Sequence, residues 1–102
     1  MVRATTVIVT LQELSDLFGS LSLWEKIQGS VLSTFEAGKK AAPSKSYPGA
    51  TSQILKHFNS LGAQACTTHR IIDPTGQILH WDEVDIKAGD VTITKPALPS
   101  QP

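Results

Sequence analysis

The residues best suited to chemistry lie close together, between Thr68 and Asp82. Two of the chain's three histidines, His69 and His80, fall there with Arg70, Trp81 and the Asp82 carboxylate. A histidine moves protons near neutral pH, and a neighbouring carboxylate orients its ring and stabilises its charged form. An arginine beside the pair presents a fork of donors to a phosphate or carboxylate. Metal-independent cleavage of a phosphodiester needs such a set: proton-transfer groups and a cation for the charged transition state. His80, Asp82 and Arg70 are therefore the catalytic candidates, and Thr68, His69 and Trp81 the binding candidates beside them. The same residues also suit an ordinary wet sheet face, where Arg–Asp and Thr–His pairs across strands are common.

Which of these side chains meet depends on the element that carries them. Residues 64–72 and 77–84 read as two strands about Asp73-Pro74-Thr75-Gly76. Aspartate first, proline second and glycine fourth favour a tight turn. Side chains on a strand alternate faces. With a type I turn and glycine in a bulge, Ile72 faces Ile78, Arg70 faces His80 and Thr68 faces Asp82. One face then carries Thr68, Arg70, His80 and Asp82. The other carries His69, Ile71, Leu79 and Trp81 and reads as the core side. A register one residue tighter puts His69 opposite His80 and Thr67 opposite Asp82. His80 and Asp82 share a face in both; the register decides whether Arg70 or His69 joins them.

Other constellations are incomplete. Cys66 lies several residues along the ladder from His80, beyond hydrogen-bond reach. His69, His80 and Asp82 converge only in the tighter register, and three ligands on one hairpin without a fourth make a weak metal site. No metal and no cofactor are expected. His57 reads as a helix-surface histidine, and Cys66 as a small buried apolar residue.

The remaining elements must support the hairpin. Residues 4–10 are short and rich in β-branched side chains and read as a first strand. Thr10-Leu11-Gln12-Glu13 matches a capping box, and Leu11, Leu14, Leu17 and Phe18 follow at helical spacing up to Gly19. Ser22-Leu23-Trp24-Glu25 matches a second box. Trp24, Ile27, Val31 and Phe35 then predict a helix to about Lys40. Residues 41–49 read as a loop, and residues 50–61 as a third helix with Ile54, Leu55, Phe58 and Leu61 inward and Gly62 as its stop. Lys87-Ala88-Gly89-Asp90 is a turn, Val91–Thr94 a last strand, and residues 95–102 a proline-rich flexible tail.

The expected architecture is α+β. An N-terminal strand and two to three helices pack on one face of a three- to four-stranded antiparallel sheet that contains the hairpin. Residues 1–94 form a single domain. The first strand joins the sheet beside the hairpin or the last strand.

Composition narrows the function. A chain of 102 residues is one domain with a modest core. Nine Lys plus Arg balance nine Asp plus Glu, so bulk attraction to nucleic acid or anionic membrane is not expected. The charges are nevertheless unevenly placed: residues 26–60 are basic, residues 73–90 acidic. One cysteine excludes an internal disulfide and suits a reducing, cytoplasmic setting. The N-terminal apolar run is too short for a signal peptide, and no stretch is long enough to span a membrane. The first expectation is a small cytoplasmic interaction module that binds a protein partner, or a second copy of itself, through an open sheet face or edge. The alternative is a small metal-independent ribonuclease of the toxin type, using His80, Arg70 and Asp82; only that reading involves nucleic acid.

Overall fold

The capping box at Thr10 forms as the local sequence dictates. The Thr10 hydroxyl accepts from the Glu13 amide at 3.1 Å, and the Glu13 carboxylate accepts from the Thr10 amide at 3.0 Å. In the computed structural model, which describes residues 4–41 and 47–96, this cap opens α1 (Leu11–Ser20), preceded by β1 (Thr5–Ile8). A short α2 (Leu23–Gln28) follows. The chain then runs through β2 (Ser33–Ala41), β3 (Thr51–Phe58), β4 (Gln64–Ile72), β5 (Ile78–Ala88) and β6 (Val91–Thr94).

The architecture corrects the expected fold class. One mixed sheet of six strands, in the order β1-β6-β5-β4-β3-β2, replaces a three- to four-stranded antiparallel one. Strand takes 51% of the described residues against 18% for two helices, so the molecule is built on its sheet. The first strand does lie beside the last, but parallel to it, pairing Thr5 with Val91 through Ile8 with Thr94.

Two expected helices account for the difference. The helix expected to reach Lys40 ends at Gln28. Ser22 makes no side-chain cap bond, and Ser30 turns through a left-handed φ of 62°. Only Trp24 and Ile27 of the expected stripe meet the core; Val31 and Phe35 are exposed, and Leu32 is buried instead. The helix expected over 50–61 is β3. Its inward residues Gln53, Leu55 and His57 alternate with outward Ile54 and Lys56, a period of two. Apolar spacing alone fits either period over so short a run, and pairing with β2 and β4 decides it. Gly62, with φ 82°, sits in the β3–β4 turn, where the Asn59 side chain accepts from the Leu61 and Ala63 amides. Residues 1–3, most of the expected 41–49 loop and the tail from 97 onward lie outside the described residues.

Both helices cover one face of the sheet. Leu14, Phe18, Leu23 and Ile27 pack there with Leu32, Cys66 and Ile86. Trp24 bridges Phe18 and Trp81, with ring centroids 5.6 Å and 5.3 Å away. Its indole N–H donates to Glu83 at 2.9 Å. Among the described residues no helix is long and apolar enough to cross a membrane.

Candidate active site

The hairpin turns where expected. The Asp73 carboxylate accepts from the Thr75 hydroxyl at 2.6 Å and from the Thr75 and Gln77 amides at 2.9 Å each. These bonds, the Thr75 hydroxyl's first, hold its carboxyl below the ordinary carboxylate range. Gly76 supplies the left-handed residue, φ 92°. Ile72 faces Ile78, but a bulge at Leu79 then shifts the register by one residue. Beyond it Ile71 faces His80, Arg70 faces Trp81, His69 faces Asp82 and Thr68 faces Glu83.

That extra residue sorts the candidates onto two faces. Arg70, Trp81 and Thr68 turn toward the helices. The Arg70 guanidinium lies 5.2 Å from the Trp81 ring centroid, and its Nε donates to Gln53 at 2.9 Å. Trp81 donates to the Thr68 hydroxyl at 2.9 Å. His69, His80 and Asp82 come together on the other face. Arg70 and His80 are thus separated by the sheet, and His69 takes the place beside His80.

A row of three hydrogen-bonded side chains crosses this face on adjacent strands. Ser52 of β3 lies 2.6 Å from His69 Nε2, and His69 Nδ1 lies 3.0 Å from Asp82 Oδ1. Lys95 donates to the second oxygen, Asp82 Oδ2, at 2.8 Å. His80 Nε2 stands 3.3 Å from Oδ1, and Tyr47 stacks on the His80 ring at 6.4 Å. Burial alone would raise the Asp82 carboxyl. The hydrogen bonds and charges of Lys95 and His69 outweigh it and hold Asp82 below the ordinary carboxylate range. An ionised carboxylate only accepts, so His69 Nδ1 carries a proton. In the neutral ring with its proton on Nδ1, Nε2 accepts from the Ser52 hydroxyl.

Ser52 is 5% exposed, yet it borders a concavity of about 350 Å³ lined by Gly38, Lys39, Lys40, Ser52, Ile54 and His69. Lys40 pairs with Ser52 across β2 and β3, and Gly38 with Ile54. A second hollow shares Lys39 and Lys40. The row therefore has room for a small molecule and positive charge beside it.

The sharing of a face by His80 and Asp82 follows from period two alone. Ser52 carried no signal, because its segment fits a helix by apolar spacing. Lys95 sits where composition marks the start of a tail. Comparisons of the chain with protein-family models, with curated proteins and with solved structures give no match.

Proposed function

We propose that this protein is a small serine hydrolase acting on esters that carry an anionic group. One observation carries the reading: Ser52, His69 and Asp82 form a continuous donor–acceptor row, 2.6 Å and 3.0 Å long in its two links, at the wall of a concavity. The chemistry follows the order of the row. Ser52 Oγ attacks the ester carbonyl as its proton passes to His69 Nε2. Asp82 steadies the imidazolium so formed and keeps the ring in the required tautomer. Lys40, on the same face and directly across from Ser52, faces the negative charge that develops on the carbonyl oxygen. The proton on Nε2 then goes to the departing alkoxide. Water repeats the sequence to release the acid. Lys40 favours an acyl or alcohol part bearing a carboxylate or phosphate.

The test is covalent. A fluorophosphonate ester should add to Ser52, seen as one mass increment located there by peptide mapping. Ser52→Ala should abolish it, and His69→Ala should slow it by at least about 100-fold. Lys40→Met should slow hydrolysis of a neutral aryl ester by about 10-fold or more, and of a carboxylated one further still. Absence of labelling, or equal labelling of wild type and Ser52→Ala, overturns the proposal.

A second reading, the interaction module, is favoured by the sheet edge. Among the described residues β2 ends the sheet, beside β3, and presents Phe35 with 61% of its surface exposed. The ribonuclease reading retains His80 and Asp82 together but has Arg70 on the opposite face.

A further inference from the structure

We propose that His69, His80 and Asp82 form a binding site for a divalent transition-metal ion, zinc being the type case. The three offer ligand atoms within 4.8 Å of one another. Ligands of a tetrahedral zinc ion, each at about 2.0–2.1 Å from it, stand roughly 3.3 Å apart. His80 Nε2 to Asp82 Oδ1 is 3.3 Å, and His69 Nδ1 to the same oxygen is 3.0 Å. Two of the three edges thus match to within a few tenths of an ångström, and the third, between ring nitrogens that lie within 4.8 Å, closes by up to about 1.5 Å as the 43% exposed His80 side chain swings inward. Two imidazoles and one carboxylate suit zinc, copper or nickel; magnesium and calcium require more oxygen ligands.

The surroundings fix these ligands in place. Lys95 occupies Asp82 Oδ2, which leaves Oδ1 turned to the two rings and the carboxylate monodentate. Ser52 holds the far nitrogen of His69, and Tyr47 stacks on His80. The His80 side chain is 43% exposed, so the fourth position is open to water or to a ligand from solvent. The ion displaces the Nδ1 proton of His69 and breaks its bond to Asp82. Metal binding therefore excludes the protonated tautomer that the serine row uses. The site itself does not depend on Ser52 being a nucleophile.

The experiment titrates the full chain with Co²⁺, read by visible absorption, and with Zn²⁺, read by calorimetry. One equivalent should bind, with the stronger visible bands of a tetrahedral ion, and Mg²⁺ should give no signal. His80→Ala should weaken binding by at least about 10-fold, while its circular dichroism spectrum stays that of the wild type. His80 lies outside the serine row, so the variant should keep the fluorophosphonate labelling of Ser52 and lose its inhibition by Zn²⁺. No saturable binding, or equal binding by wild type and His80→Ala, overturns the metal site. Absence of labelling with metal binding intact overturns only the hydrolase.

Discussion

His57 is fully buried between two threonines. Its Nδ1 lies 2.9 Å from the Thr34 hydroxyl and its Nε2 2.8 Å from that of Thr68. A neutral ring, with one nitrogen donating and one accepting, is satisfied by two hydroxyls; a charged ring is not. Burial, and secondarily the Arg70 charge, push its pKa down from 6.5 to about 4. The unfolded chain therefore binds an extra proton between those values, and stability falls as pH drops through that window. The loss should approach about 3 kcal/mol near pH 4, at 1.36 kcal/mol per unit. Urea denaturation at pH 7, 5.5 and 4.5 should show it, and His57→Gln should flatten the slope. An equal slope in the variant would remove His57 as the cause. The same physics keeps Cys66 inert: burial, with Asp85 nearby, pushes its thiol up to about 12.

Elements differ in how much of themselves the sequence declares. The cap of α1 and the Asp73 turn are local devices, and both form with the residues expected. Thr10→Ala removes the hydroxyl that accepts from Glu13 and should lower stability by about 1 kcal/mol, read from the denaturation midpoint at unchanged slope. No change would mean that the sheet alone positions α1. β2 and β3 are not local devices. Phe35 fits one helical stripe and Ile54 and Phe58 another, while the inward positions of β3 hold Gln53 and His57, polar groups buried only because partners from other strands reach them. Gln53 donates to Glu36 of β2 and accepts from Arg70 of β4, contacts that exist only after the sheet assembles. The candidate site divides in the same way. His80 and Asp82 were legible as a pair. The arrival of His69 depends on one bulged residue, Leu79, and that of Ser52 on β3 being a strand.

The whole molecule separates its two faces by function. Helices and the apolar cluster seal one; the polar row, Lys40 of β2 and the exposed histidine occupy the other. The uneven charge of the sequence persists in space. Strand order sets Lys39, Lys40 and Lys56 of β2 and β3 on one side of β4, and Asp82, Glu83 and Asp85 of β5 on the other. A substrate or partner meets positive charge at one end of the sheet and negative charge at the other. The sealed face also has an optical consequence. Trp24 and Trp81, 5.3 Å apart with their rings inclined at 80°, are the chain's two tryptophans and come from α2 and β5. Indoles so close share their excited states, so the native protein should show a tryptophan exciton signal in ultraviolet circular dichroism. Trp24→Phe should erase that signal while the peptide bands persist; its survival would show that it does not arise from the Trp24–Trp81 pair. The helix–sheet seam thus carries its own chromophore, able to time the docking of α2 during folding without any added label.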